Sequence, residues 1–475
     1  MKRKRRARPL WGGGYASKPG RALSKLSVSH PFDRRLASQD IAGTRAHARG
    51  LHRAGLLSKS ALSRIEKGLK VIEREIDQGR FRFEDADEDI HLNVERRLIA
   101  LAGEAGRRIH AGRSRNDQVA LDLRLWALDA IARAGDGLRR LGLALLDRAE
   151  EALLAGAVVA ARTHTRAAQP VLLAHAFHAY AEMLLRDIAR LADCRGRAAI
   201  SPLGSGACAG TTLPLDRAGV ARELGLPDIT ANSLDAVSDR DFVVEFEAAA
   251  ALAMVHLSRL AEDLILWTGE EYRLLTLSEG TTTGSSMMPQ KRNPDALELV
   301  RGKTGRVAGH LVGTLLAVKG LPLSYNRDLQ ETQEALFDTA DTLEACLAAM
   351  TEVVAGLTLR PAAERPVLDP SSLATDVAEE LVRRGVPFRK AHERVARWTR
   401  KAIESGRDLR EVASREAPEL RPFLRRLTPE SSVARRDLPG GTAPRRVRAA
   451  LAAARKRLDG GRALKRPPRS RRKSR

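Results

Sequence analysis

The sequence predicts an all-α protein organised around a bundle of long helices. Three observations point there. Between residues 118 and 357, five segments carry apolar stripes at helical spacing, each longer than the ~10–14 residues of an average globular helix. The composition favours strong helix formers, with abundant Ala, Leu, Glu and Arg and only 4% aromatic residues. Few period-2 alternations compete with these stripes. At 475 residues the chain exceeds one ordinary core, so two to four domains are expected, and an apolar content of 43% can fill them.

In chain order, a polar connector follows Trp11-Gly12-Gly13-Gly14, and Ser29-His30-Pro31-Phe32-Asp33 reads as a loop. Helical patterning begins near Asp40 and continues through Ala46 and Leu51. A second helix runs from Ser60 to about Asp77, and a third opens at Glu88-Asp89-Ile90-His91 with Val94, Leu98 and Leu101. Gly112 and Ser114 mark a turn, and Asn116 or Asp117 is placed to cap the long helix that follows. Val119, Leu123 and Trp126 share its face, continued by Leu138, Leu141 and Leu145. Further long helices are expected after Pro170 to about Asp193, from Asp241 to Trp267, after Pro294 to about Lys319, and from Leu329 to Leu357. The helix after Pro294 would be about 40 Å long. Pro202-Leu203-Gly204-Ser205-Gly206-Ala207 breaks the bundle. Beyond Pro370 the helices shorten and carry Arg-rich faces, and Pro439-Gly440-Gly441-Thr442-Ala443-Pro444 turns into a last short helix. This divides the chain into a basic tail 1–10, an N-terminal helical domain 11–115, a central bundle 116–365, a small C-terminal helical domain 366–460 and a basic tail 461–475.

The net charge of +23 is concentrated at the two ends. Residues 2–8 carry six Lys/Arg and residues 461–475 carry eight, neither with an acid, which leaves +9 for the remainder. Such tails read as disordered and suit nonspecific contact with nucleic acid, although no aromatic residues interleave them for base stacking. Cys194, Cys208 and Cys346 show no metal or disulfide spacing, which argues for a reducing, cytoplasmic setting. No charge-free apolar run is long enough to cross a bilayer, and the N-terminus lacks the apolar core of a secretory signal.

Polar islands interrupt the bundle at 163–170, 232–241 and 284–295, and a fourth lies before it at 112–118. Polar clusters at the starts of long apolar helices point to a site at the bundle's surface or between subunits. The densest is Gly284-Ser285-Ser286-Met287-Met288-Pro289-Gln290-Lys291-Arg292-Asn293-Pro294-Asp295, after three threonines. Its two prolines exclude a continuous helix. Its hydroxyls, cation and amide could set a proton acceptor and a positive charge against one small anion. Thr163-His164 adds an imidazole that exchanges protons near neutrality. Arg115 offers a bidentate fork and Asn116 a donor and an acceptor. Arg240, flanked by Asp239 and Asp241, could bind a carboxylate or pair with its neighbours.

The 284–294 loop resembles the signature of the fumarase/aspartase superfamily, which also contains delta-crystallin. Gln290 and the block Gly112-Arg113-Ser114-Arg115-Asn116-Asp117-Gln118 resemble its argininosuccinate lyase branch. Asn232 to Phe242, Tyr325-Asn326-Arg327-Asp328-Leu329-Gln330-Glu331, Ala374-Thr375-Asp376 and the Gly-Gly-Thr-Ala-Pro turn continue the likeness, which spans Trp11 to about Leu458. Some positions depart from it. Ala111 replaces the branch's Thr, Ala161-Arg162 its Gly-Tyr, Thr165-Arg166-Ala167 its Leu-Gln-Arg, Gln333 its Lys, and Gly14-Tyr15 its Arg-Phe.

The resemblance implies three helical domains, with the middle helices of four subunits forming a twenty-helix core in a homotetramer whose active sites combine blocks from three chains. It implies reversible cleavage of argininosuccinate to arginine and fumarate through a carbanion. Ser285 would be the base, with Ser286 the less favoured choice on spacing to Lys291, and His164 would polarise the departing nitrogen. Ser29, Asp33, Ser114, Arg115, Asn116, Thr163, Arg240, Lys291, Asn293, Tyr325 and Gln330 would contact substrate. No metal, nucleotide or flavin motif is visible, and this chemistry needs no cofactor. A second reading, a catalytically weakened or substrate-shifted homologue with a binding role through its basic tails, rests on the departures at Gln333, Ala111 and Ala161-Arg162. Sister activities of the superfamily fit the 112–118 block and Gln290 less well.

Overall fold

The computed structural model describes residues 20–460. The two basic tails and the Trp11 to Tyr15 block lie outside the described residues.

Two short helices, Arg21–Ser27 and His30–Asp33, open the described chain, so the stretch after Ser29 is a helical turn rather than the expected loop. Three longer helices follow, α1 (Ala37–Arg53), α2 (Lys59–Asp77) and α3 (Ile90–Ala102). Their starts follow from local chemistry. The Ser58 side chain accepts the N–H of Ala61 at 3.2 Å, and that of Asp89 accepts the N–H of Leu92 at 2.7 Å, satisfying donors that a helix leaves orphaned. Ile65, Leu69, Ile72 and Leu98 close the space between α2 and α3 and are fully buried. Truncating any one of them to Ala would cost about 2–5 kcal/mol.

The bundle contains the five long helices expected: α4 (Arg115–Leu154), α5 (Leu173–Ala198), α6 (Asp241–Thr268), α7 (Asp295–Val318) and α8 (Glu331–Ala355). α4 has 40 residues and lies against α5 and α8, while α7 packs on α6 and α8. Phe177, Phe242 and Phe246 are its largest fully buried side chains. The residue that caps α4 is Ser114, not Asn116 or Asp117. Its Oγ accepts the Asn116 N–H at 3.3 Å, while Asp117 Oδ1 accepts the Ser114 N–H at 2.9 Å. The two residues satisfy each other's orphan donors, a reciprocal box that Asn116 and Asp117 do not make.

Between α4 and α5 the chain forms an antiparallel hairpin, β1 (Val158–Thr163) and β2 (Arg166–Leu172). The sequence gives little warning of it, because only Val158 and Val159 read as strand and the turn lacks Gly and Asn. Three two-residue strand pairs also occur: Ile200–Ser201 with Asp228–Ile229, Leu275–Thr276 with Thr358–Leu359, and Thr283–Gly284 with Arg292–Asn293.

After the bundle come α9 (Ala374–Arg383), α10 (Phe388–Ser405), α11 (Leu409–Glu416) and α12 (Pro444–Gly460). Leu373 to Leu427 enclose a second apolar cluster around Trp398. α12 returns to the main core, where Val447, Leu451, Ala454 and Leu458 pack and Arg139 Nε donates to the Leu458 carbonyl at 3.0 Å. The second apolar cluster is thus drawn from Leu373 to Leu427, whereas α12 packs on the main one.

α7 keeps an apolar face uncovered within one chain. Leu299, Val312 and Leu316 are 60%, 54% and 57% exposed. Along the same helix a Cβ placed at Gly302, Gly305, Gly309 or Gly313 would meet nothing within 4 Å.

Candidate active site

One wall is built where the short His30–Asp33 helix meets the start of α3. Glu88 is held at φ 63°, a left-handed conformation unusual for a non-glycine residue, and its carbonyl accepts the N–H groups of Ser29 and His30 at 2.9 and 3.2 Å. Ser29 Oγ donates to Asp33 Oδ2 at 2.6 Å, and the Ile90 N–H donates to Oδ1 at 3.1 Å. Both side chains are buried. Burial pushes the Asp33 carboxyl up to about 6, against the charge of His91 and the Ser29 hydrogen bond.

The second wall is the N-terminus of α4. Arg115 Nη1 donates to Gln118 Oε1 at 2.6 Å, and its Nε lies 3.3 Å from Asp89, which ties the helix start to the first wall. Asp117 Oδ2 accepts the N–H groups of Gly204 and Gly206, each at 2.9 Å. Gly206 has φ 61°, and a Cβ there would lie 2.6 Å from the Gly210 carbonyl oxygen, so the glycine-rich break is a shaped partner of α4. Its Ala207 carbonyl accepts Asn116 Nδ2 at 3.2 Å.

Arg240 and Tyr325 supply the third side. Arg240 is 2% exposed; Nη1 donates to the Asp239 carbonyl at 2.7 Å, and Nε and Nη2 have no partner. The choice left open by the sequence is thereby narrowed: Arg240 makes no ion pair with its aspartate neighbours among the described residues. Burial pulls the guanidinium down to about 10, countered by the nearby Tyr325 and Asp239. Tyr325 is itself raised by burial and feels Arg327, Arg240 and Asp89. Arg327 reaches Glu88 Oε1 at 2.6 Å and the Ser27 carbonyl at 2.8 Å. Gln330 ends the turn Arg327–Gln330, half-buried and without a side-chain hydrogen bond. Gln333, one turn further, is buried with Oε1 unpartnered.

The structure thus gathers Ser29, Asp33, Ser114, Arg115, Asn116, Arg240 and Tyr325 around one polar wall. It does not bring Thr163, His164, Ser285, Lys291 or Asn293 to them. Thr163 and His164 sit at the exposed tip of the β1–β2 hairpin. Ser285 and Lys291 lie on an exposed loop closed by the pairing of Thr283 with Asn293. Among the described residues, no hydrogen bond or ion pair links either segment to the wall. The loop's own geometry carries chemistry. Ser285 Oγ accepts the N–H groups of Met287 at 3.3 Å and Met288 at 3.0 Å, two donors that would stabilise an ionised hydroxyl. Thr283 hydrogen-bonds Asp295 at the start of α7.

Behind the wall lies a cluster that sequence reasoning missed. His91 Nδ1 is 3.1 Å from Asp40 and 3.3 Å from Asp122, and the three groups, all buried, lie within 4.8 Å of one another. Burial opposes the imidazolium, but the adjacent Asp122 and Asp40 carboxylates outweigh it and push His91 up to about 10. Gln118 hydrogen-bonds Asp40, and the buried Arg113 donates to Thr44 Oγ1 at 2.9 Å. The group set suits a metal by type, but the imidazolium and Arg113 already supply the positive charge, so the cluster reads as a brace. The only sequence signal was a polar residue inside an apolar stripe, Asp122 between Leu121 and Leu123.

Comparison with known proteins adds the following. Residues 15–309 match the family model described as lyase, and residues 371–434 match that of the argininosuccinate lyase C-terminal region. The argininosuccinate lyase of Thiobacillus denitrificans is 50% identical over 454 residues, covering 94% of this chain and 98% of its own. That of Moorella thermoacetica is 50% identical over 459 residues, covering 95% and 98%. Among solved structures, EDDS lyase in complex with formate superposes with a TM-score of 0.79 at 29% identity, covering 93% of this chain and 89% of its own. A class II fumarase from Schistosoma mansoni does so at 0.72 and 16% identity, covering 86% and 92%, which speaks to the fold alone.

Proposed function

We infer the reaction of this chain from one premise: it belongs to the argininosuccinate lyase family of the fumarase/aspartase superfamily. It is an argininosuccinate lyase, a carbon–nitrogen lyase that reversibly eliminates arginine from argininosuccinate to leave fumarate, a step of arginine biosynthesis. The 50% identity to proteins of that name over 94% of the chain carries this conclusion. The weakened-homologue reading draws no support from those relatives.

The roles of individual residues are our proposal. The proton to be removed sits on carbon beside a carboxylate and is very weakly acidic. Ser285 takes it as an alkoxide, favoured by the Met287 and Met288 N–H groups and by Lys291. The carbanion is stabilised by Lys291 and Asn293. Its electron pair forms the C=C bond of fumarate as the C–N bond breaks, and His164 delivers or polarises the proton on the departing guanidinium nitrogen. Arg240, Arg115, Ser114, Asn116 and Thr163 take the carboxylates. Ser29, Asp33, Tyr325 and Gln330 take the amino-acid end. Closure of the 284–295 loop over substrate is expected, and its proteolysis should slow when fumarate and arginine are bound.

The assembly belongs to the same proposal. Within one chain the hairpin tip and the serine loop stay apart from the polar wall, and α7 leaves an apolar, glycine-lined face open. A homotetramer whose twenty-helix core takes five helices from each chain would cover that face and build each site from three chains. No helix among the described residues is long and apolar enough to cross a membrane. The three free cysteines support a cytoplasmic location. Nucleic-acid contact by residues 1–10 and 461–475 would be a separate role, visible as salt-sensitive DNA affinity lost on deleting them. The deciding assay is fumarate release from argininosuccinate by the purified protein. A well-folded protein that releases none would sink the assignment.

A further inference from the structure

We propose that Arg162 is a positioning residue that fixes the His164 turn to the bundle. The hairpin pairs Arg162 with Ala167 and Thr163 with Arg166, so His164 and Thr165 alone make its turn. Their φ values are 52° and 60°. A two-residue turn of this hand needs positive φ at both positions and normally uses Asn or Gly, because other side chains resist it. A β-branched threonine is an especially poor occupant. The turn is therefore held against its local preference.

Two contacts do the holding. Arg162 Nη1 donates to the Thr165 carbonyl at 3.1 Å, closing a ring over the turn from the strand side. The same guanidinium sits over the ring of Tyr272, 4.3 Å from its centroid. Tyr272 is half-buried and packed against the main core just past the end of α6, so it is a rooted platform. Within the turn, Thr165 Oγ1 donates to the His164 carbonyl at 2.6 Å. No other hydrogen bond, ion pair or ring contact ties residues 162–167 to the rest of the described chain. Arg162 is suited to this because a planar fork can stack on a ring and still donate in its own plane, which an ammonium cannot do. The residue touches no reacting atom in this scheme. It sets where the imidazole stands.

The inference rests on the role given to His164 above, and the test keeps the two separable. Arg162→Gln, Tyr272→Leu, Tyr272→Phe and the Arg162→Gln/Tyr272→Leu double variant are assayed for fumarate release beside the unaltered enzyme. Arg162→Gln and Tyr272→Leu should each lower kcat about tenfold through misplacement of the imidazole, with KM changed by less than about twofold. Tyr272→Phe keeps the ring and should retain activity. The double variant should be no worse than the poorer single one, because both break one link. An unchanged kcat in Arg162→Gln, or Tyr272→Phe as damaged as Tyr272→Leu, overturns the proposal. An unaltered enzyme that releases no fumarate overturns the reading of the reaction instead. In that event the crystal structure of Arg162→Gln still decides: a turn that keeps positive φ at His164 and Thr165 overturns the holding role, and one that loses it supports the role.

Discussion

The hydroxyl oxygen of Ser285 accepts the backbone N–H of Met288 at 3.0 Å, with the Met287 N–H behind it at 3.3 Å. A neutral serine gains little from two such donors, whereas an alkoxide gains much. Ser285→Ala is expected to lower kcat about 10²–10⁴-fold while the fold is unchanged. Ser286→Ala should cost far less. Steady-state fumarate release by both variants, with circular dichroism as the control, checks this. Equal losses would move the base to the neighbouring hydroxyl.

Asp33 brings a pH dependence. Its carboxyl, raised by burial to about 6, must be ionised to hold a cationic end of the substrate. kcat/KM should therefore rise with pH through about 6. Stability runs the other way: the folded state binds this proton more tightly than the unfolded one, so the group's contribution is present below its ordinary 3.8 and is lost as pH rises through about 6. Asp33→Asn should flatten that limb of the profile and lower kcat/KM about 10–100-fold. A limb that persists in the variant would assign it to another group.

Much of this was readable from the chain because the signals are local. The stripe of Val119, Leu123 and Trp126 announces α4, and Pro294 marks where α7 begins. The blocks around Arg115 and Arg240 were visible as polar islands for the same reason, and that around Tyr325 through its likeness to the family. Two features were not. The His164 turn contradicts its own propensities and depends on Arg162 and Tyr272, more than a hundred residues apart. Asp40, His91 and Asp122 come from three helices, and nothing local says that they meet. Ser285 and Arg115 stay separate within one chain, because no described contact joins their segments.

His91 stabilises that buried meeting point. Replacing it by Ala leaves Asp40 and Asp122 enclosed without their imidazolium and should destabilise the protein by about 3–5 kcal/mol. The His91 pKa is raised, so its contribution is fully present below the ordinary 6.5 and disappears as pH rises through about 10. Thermal unfolding of the unaltered protein should weaken between pH 7 and 10, and the variant should lack that decline. Parallel pH profiles for the two would contradict the charged pairing.

If each site draws its parts from several chains, two defective subunits can repair one another. Ser285→Ala lacks the base and Asn116→Leu lacks a donor on the α4 wall, and each alone should be nearly inactive. Co-refolding the two is expected to restore measurable fumarate release, because some mixed assemblies contain a site built only from intact contributions. Recovery requires α7 faces to meet, so Gly309→Trp, which fills the open stripe, should abolish both assembly and recovery. Mixtures that stay inactive while forming mixed tetramers would place the whole site within one chain.

Glu247 is an unsatisfied acid inside the bundle. It lies fully buried on α6, with neither carboxylate oxygen hydrogen-bonded, and the Thr314 hydroxyl of α7 is equally unpartnered. Burial pushes Glu247 up to about 7. A carboxyl raised in the folded state favours folding when protonated, so stability should fall as pH rises from about 5 through 7. Above pH 7 the enclosed charge costs about 3 kcal/mol, the free energy of moving its pKa from the ordinary carboxyl value. Glu247→Leu removes that cost and adds apolar burial, and should raise the unfolding midpoint most at pH 8 and least at pH 5. A stabilisation independent of pH would mean that the carboxyl is never ionised in the folded protein. A loss at both pH values would mean that the space beside Thr314 holds a polar partner that leucine expels.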